Sequence, residues 1–379
     1  MTSAVMPTYA RAPIAFVKGE GCHLTARDGR RYLDFAGGIA VCALGHAHPR
    51  LVAALHEQAQ RLWHCSNMFE VEHQEAVAAK LAELTFGDLV FFANSGAEAN
   101  ECAIKIARRF HAAAGHPERY RVLAFKGSFH GRTLATLAAA GNPKNLDGFG
   151  PVVDGFDHAP YGDLAAATAA VGPHTAAILV EPIQGEGGIR VPDPAFLTGL
   201  RALADKTGAL LMFDEVQCGM GRAGHPFAAD LYDVRPDMIT TAKALGNGFP
   251  CAALLMTPRV TGAIKPESLG TTFGGGPMAC AAIEAVIEAI EGEDLLANVR
   301  RVSRYVRETC GVGPVTGFQG EGFLLGLRMD RPAREIQAAL LERDILAGTS
   351  GDPQVLRLLP PFILREEHVD QLKGALAAL

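Results

Sequence analysis

The chain has 379 residues, 49% of them hydrophobic and 20% charged, with a formal net charge of −6. That is the composition of a globular protein with room for one large or two ordinary domains, and its acidic balance argues against non-specific binding to nucleic acid or an anionic membrane. The 42 glycines, roughly 11% against a background near 7%, follow no collagen period and so belong to turns and close backbone approaches. No apolar run approaches the roughly 18 residues of a membrane span. Eight cysteines without a C-x-x-C pair read as reduced thiols of a cytoplasmic protein that holds no structural zinc.

In chain order, His23–Phe35 reads as a hairpin around Asp28-Gly29. Leu89–Ala93 (LVFFA) is a predicted buried strand, followed by a helix from Gly96 to Ala114. Further strands are predicted at Arg121–Phe125, Ala176–Val180, Ala209–Phe213, Asp237–Thr241 and Ala252–Met256, with a helix at Pro194–Lys206. Near-continuous apolar strands separated by helices imply a parallel sheet covered on both faces. From Pro277 the texture changes: helices at Met278–Ile290 and Leu295–Thr309 precede strands at Val312–Phe318 and Phe323–Met329, a helix at Ala333–Arg343 and a strand at Val355–Leu359. This is a smaller α+β lobe, which the amino-terminal segment is expected to join.

Open α/β sheets form their sites beyond the carboxyl ends of the strands, and each predicted strand end here delivers polar groups. Ser95-Gly96-Ala97 opens a helix whose free amides suit a phosphate, although a serine there also caps a helix. Asp214 ends an apolar strand and needs a cationic partner, either a protonated ring nitrogen or an arginine. Lys243, before a glycine-rich turn, is either a Schiff-base lysine or a solvated one. Phe129 stacks on a ring or fills core; Arg132 and Arg357 hold carboxylates or serve as surface charges. His46 and His48 have the i, i+2 spacing of a metal pair, but with Pro49 opening a helix they read as turn residues, and no metal is expected. Phosphate cup, aromatic, ring-nitrogen carboxylate and lysine together are the parts of a pyridoxal-phosphate site.

The segments NSGAEAN at Asn94–Asn100, FHGRT at Phe129–Thr133, EPIQGEGG at Glu181–Gly188, FDEVQ at Phe213–Gln217, GMGR at Gly219–Arg222, Lys243 and GTTFGG at Gly270–Gly275 resemble the class III (ω-)aminotransferases of fold type I over essentially the whole chain. Within the class the resemblance is strongest to the acetylornithine aminotransferase branch, and Ile39 stands where the ornithine branch carries a tyrosine. The resemblance implies a large domain with a mostly parallel seven-stranded sheet between helices, at residues 46–270. A small α+β domain is implied from residues 1–45 and 271–379. It implies that Lys243 carries pyridoxal 5′-phosphate and moves the proton, Asp214 pairs with the ring nitrogen, Gln217 bonds the ring hydroxyl and Phe129 stacks on the ring. Ser95, Gly96 and Ala97 bind phosphate, and Thr272 reaches the phosphate of a neighbouring subunit in a homodimer. Arg132 takes the distal carboxylate and Arg357 the α-carboxylate of glutamate, with Glu186 pairing with Arg357 when the ω-amino substrate is bound.

The reaction so implied moves the δ-amino group of N2-acetyl-L-ornithine to 2-oxoglutarate. Succinylornithine, ornithine, GABA and succinyl-diaminopimelate remain as other amines of the same class. A rival from another class is a dinucleotide-binding dehydrogenase, because Gly219–Gly224 matches G-x-G-x-x-G. Its context is wrong: Asp214 and Glu215 intervene after the strand, Pro226 follows, and no clean helix opens at the glycines.

Overall fold

A computed structural model of the chain describes residues 4–379. At the amino end, β1 (Phe16–Glu20), β2 (His23–Ala26) and β3 (Arg31–Asp34) pair in antiparallel succession. The central sheet contains β4 (Leu89–Ala93), β5 (Arg121–Phe125), β6 (Phe156–Ala159), β7 (Thr175–Val180), β8 (Leu210–Asp214), β9 (Met238–Thr241) and β10 (Ala252–Met256), in the order β4-β10-β9-β8-β7-β5-β6. β10 is antiparallel to both of its neighbours, and the other pairings are parallel. The carboxyl ends of β4, β5, β7, β8 and β9 therefore open on one edge.

Strands β7 to β10 are buried at every residue, which is why they show no apolar–polar alternation and carry polar residues mainly at their ends. Both faces nonetheless follow the two-residue period of the pleat. Leu210 and Met212 pack into one core with Ile104 and Ala107 of the helix Gly96–Ala113, while Leu211 and Phe213 pack into another with Phe196 and Leu200 of the helix Pro194–Thr207. Each such side chain, fully removed from water, contributes about 1.5–3 kcal/mol. The Pro194–Thr207 helix is delimited by local chemistry: Asp193 accepts the Ala195 N–H, Pro194 occupies the first turn, and Gly208 leaves it in a left-handed conformation (φ 72°).

Several elements differ from the expectation. β6 is a short edge strand absent from the predicted set, and Asp214 is the last residue of β8 rather than the first after it. At the carboxyl end, β11 (Val315–Glu321) starts three residues later than predicted. It is followed by β12 (Leu324–Met329), β13 (Ile345–Leu346), β14 (Gly348–Thr349) and β15 (Val355–Leu358), and a sheet forms in the order β11-β12-β15-β14. β13 leaves that sheet to pair in parallel with β3, Ile345 opposite Leu33, so strands from both ends of the chain share one sheet.

The Gly219–Gly224 turn joins these parts. Its Arg222 is fully buried, donates to the carbonyls of Ala40, Phe323 and Pro360 and lies 4.6 Å from the centre of the Phe362 ring. No helix starts at these glycines, so the turn lacks the helix-dipole cradle of a dinucleotide site. Among the described residues, no helix is long and apolar enough to cross a membrane.

Candidate active site

The sheet edge encloses a cavity of about 380 Å³ whose walls include Ser95, Gly96, Ala97, Phe129, Arg132, Asp214 and Lys243. A small recess adjoins it, lined by Phe129, Asp214 and Lys243 together with Glu181, Glu186 and Gln217. Residues from five strand ends, spread over about 150 positions of sequence, thus converge on one volume. Thr272 is exposed and lines neither space.

The phosphate end of the cavity is the first turn of Gly96–Ala113. Ser95 Oγ accepts the Glu98 N–H at 3.3 Å, so the serine is a helix cap as well as a cavity wall. The Gly96 and Ala97 amides, in the first turn, have no helical acceptor. A Cβ on Gly96 would come within 2.7 Å of Val216 Cγ1, so glycine here is required for the helix to approach the β8 loop.

Asp214 is 3% exposed. Its Oδ2 accepts from Asn100 Nδ2 at 2.8 Å and is bonded to His130 Nδ1 at 2.7 Å, and its Oδ1 accepts the Val216 N–H at 3.0 Å. Asn100 in turn accepts from Thr240 Oγ1 at 2.8 Å. Among the described residues no arginine pairs with Asp214, in contrast to one of the two sequence expectations; its side-chain partners are Asn100 and His130, residues with no role assigned in the sequence analysis. Their motifs were visible, but the contacts span 114 and 84 residues. His130, Glu181 and Asp214 converge within 4.8 Å as metal-ligand types can, yet the short His130–Asp214 bond directs two of the three at each other.

Lys243 is half-buried and takes a left-handed backbone conformation (φ 48°), a strain that functional sites tolerate. Loss of water around its amine pushes the pKa below the ordinary lysine value, against the pull of Asp214, Glu186 and Glu181. Gln217 Oε1 is buried without a hydrogen-bond partner. A Cβ on Gly185 would collide with that amide, so the glycine of the EPIQGE segment makes its room. These features fit pyridoxal phosphate: first-turn amides without a helical acceptor for the phosphate, a buried carboxyl group for the ring nitrogen, an unpartnered side-chain amide oxygen lining the recess, and a desolvated amine.

At the mouth, Arg132 is exposed, its guanidinium 5.3 Å from the Phe129 ring centre and 3.2 Å from Asn145 Oδ1. Arg357, on β15, is buried and forms an ion pair with Glu186. Its cross-strand neighbours are Gly326 and Gly348, which leave space for a long side chain. His46 and His48 do not face a common point: His46 Nε2 bonds Asp34 Oδ2 at 2.8 Å, and His48 Nε2 lies 3.1 Å from Glu293.

The family described as Aminotransferase class-III matches residues 5–379. The acetylornithine aminotransferase 1 of Bradyrhizobium diazoefficiens is 48% identical over 378 residues, covering 98% of this chain and 93% of that protein. Among solved structures, the ornithine aminotransferase of Toxoplasma gondii ME49 superposes with a TM-score of 0.94 at 31% identity, covering 99% of this chain and 92% of the other. The N-acetylornithine aminotransferase of Stenotrophomonas maltophilia K279a gives a TM-score of 0.84 at 34% identity, with 98% and 97% coverage.

Proposed function

The chain belongs to the class-III aminotransferases, and we propose that within that family it moves the δ-amino group of N2-acetyl-L-ornithine to 2-oxoglutarate, yielding N-acetyl-L-glutamate 5-semialdehyde and L-glutamate. The observation that carries this reading is the meeting of Lys243, Asp214 and the helix start at Gly96 in one cavity, with Glu186 closed on Arg357 beside it. The choice of acylated amine is supported by the names of full-length relatives at 46–48% identity.

Pyridoxal 5′-phosphate, when bound, supplies a carbonyl carbon for amine exchange and a ring that accepts an electron pair. The chain's residues do the rest. Ser95, Gly96 and Ala97 would hold the cofactor's phosphate, Phe129 and Gln217 would hold its ring, and Asp214 would supply the negative charge that a protonated ring nitrogen needs. Lys243 Nζ, whose pKa burial pushes below the ordinary lysine value, would take the proton from the amine-bearing carbon of the substrate and deliver it to the carbon that the cofactor contributes. Arg132 at the mouth binds the carboxylate distant from the reacting amine.

The Glu186–Arg357 pair then selects between substrates by charge. An acylated ω-amine presents no carboxylate beside its reacting carbon, so Glu186 neutralises Arg357. Glutamate presents one, which displaces Glu186 and takes the guanidinium. Glu186→Ala should raise kcat/KM for the glutamate half-reaction by about tenfold, a change of about 1.4 kcal/mol, and lower it for the acylated amine. Stopped-flow traces of the two half-reactions measure this, and equal changes in both would remove the switch. The same traces with N-acetylornithine, N-succinylornithine, ornithine and GABA test the substrate; a clear preference for GABA or free ornithine would replace it.

The reading includes a homodimer with shared sites, a small lobe built from both chain ends, and a cytoplasmic location in keeping with eight free thiols. Support for the dimer comes from an apolar surface: Trp63, Met68, Phe69 and Phe273 are each more than three-fifths exposed, and Asn67 ties that segment to the carbonyls of Thr271 and Gly274. Thr272 lies next to the exposed Phe273, and in this reading it is the residue that binds the phosphate of a second protomer. Thr272→Val should weaken cofactor retention, and mixing it with a Lys243 variant should restore some activity in hybrid dimers. Strictly additive loss would show that each site is complete in one chain.

A further inference from the structure

Glu181 follows β7 and is 7% exposed. Its Oε1 accepts the Phe129 N–H at 2.7 Å. Its Oε2 is buried with no hydrogen-bond partner among the described residues, and the side chain lines the recess shared with Lys243, Gln217 and Asp214. Glu181, Asp214 and His130 offer polar atoms within 4.8 Å of one another. Two carboxylates at that distance, out of water, do not both stay ionised.

The hydrogen bonds decide which of the two carries the charge. Asn100, His130 and the Val216 amide are hydrogen-bonded to Asp214, whereas among the described residues only the Phe129 N–H is hydrogen-bonded to the Glu181 carboxyl. The titratable groups around Glu181 are Asp214, His130, Lys243, Glu186, Tyr161 and Cys218. Burial first, and Asp214 second, push the Glu181 carboxyl well above the usual carboxylate range, and the Phe129 amide and Lys243 only partly offset them. An ionised Oε2 would leave a buried anion oxygen with no donor, whereas a protonated Oε2 is itself a donor and needs only an acceptor.

Resting on the cofactor assignment above, we propose that Glu181 is a neutral carboxylic acid in the working enzyme: a positioning residue whose Oε1 fixes the Phe129 backbone and whose Oε2–H is a hydrogen-bond donor directed into the Lys243 recess. Asp214 is then the member of this carboxylate pair that carries the charge, and Glu186 is held in its ion pair with Arg357. A second anion at position 181 would favour the protonated form of the Lys243–cofactor link and blunt the acid–base change that amine exchange requires.

The test is E181Q, whose amide keeps an acceptor for Phe129 and a neutral donor for the recess. In the resting holoenzyme, the pH midpoint of the visible cofactor band should be unchanged in E181Q. If Glu181 were ionised, removing its charge from beside Lys243 would lower that midpoint by about one unit or more, and that result overturns the proposal. E181A should also keep the midpoint but lose the Phe129 anchor, seen as faster cofactor loss on dilution that E181Q does not share; equal loss in both variants removes the positioning role. Infrared difference spectra give a second readout that is independent of turnover. The wild-type protein at neutral pH should show a protonated-carboxyl band that E181Q and E181A both lack, and absence of that band in the wild type overturns the proposal even where a variant fails to fold. A protein with no visible band at all would instead refute the cofactor assignment, so the two failures are distinguishable.

Discussion

Lys243→Ala is expected to abolish the borohydride-fixed attachment of the cofactor and to lower turnover by about 10⁴-fold or more, since the link and the proton transfer reside on the same nitrogen. Among the described residues, no second lysine lines the site. Lys243 is the lysine on the walls of the 380 Å³ cavity, and Arg132 at the mouth has a guanidinium that does not give up its proton in proteins. The fold itself should tolerate the change, because removing a desolvated amine removes a cost. Lys243→Arg sharpens the comparison: it keeps the positive charge facing Asp214, Glu186 and Glu181 but cannot form the link. Mass spectrometry after borohydride reduction should find the added cofactor mass on the wild-type peptide containing Lys243 and on neither variant. Retention of the covalent mass in Lys243→Ala would move the attachment to another residue.

Some of this site was readable in the sequence because its determinants are local. The apolar runs of β7, β8 and β10 report burial on both faces directly, and the polar residues that follow them mark one edge of a parallel sheet. β6 was not readable: its four residues, Phe-Asp-His-Ala, are mostly half-exposed, so an edge strand there has neither an apolar run nor a clean alternation. The roles of Asn100 and His130 were hidden for a different reason. Each sits within a recognised motif, but what they do depends on a carboxylate that only the folded sheet brings alongside. Glu181 belongs with them, because its protonation depends on Asp214, which lies in the next strand. Arg222 looked like part of a glycine motif with possible phosphate chemistry and is instead a fully buried clamp between the β8 loop and both chain ends.

Position 214 shows how the charge pattern of the site can be separated from its packing. Asp214→Asn and Asp214→Ala should each lower kcat by about 10³-fold, the loss of about 4 kcal/mol expected when a buried charge pair loses one member. Their stabilities should differ. The asparagine variant retains one amide oxygen to serve Asn100, His130 and the Val216 amide, the three groups that face the carboxylate. The alanine variant leaves all three without an acceptor, and each buried donor so stranded costs about 1–3 kcal/mol. Thermal melts of the cofactor-free proteins should therefore rank wild type above Asp214→Asn and Asp214→Ala lowest, while the activities of the two variants stay similar. A ranking of activities that followed the melts would mean that Asp214 acts by holding Asn100 and His130 in place. Similar activities with separated melts would mean that it acts by its charge, as the three donors converging on a single buried carboxylate imply.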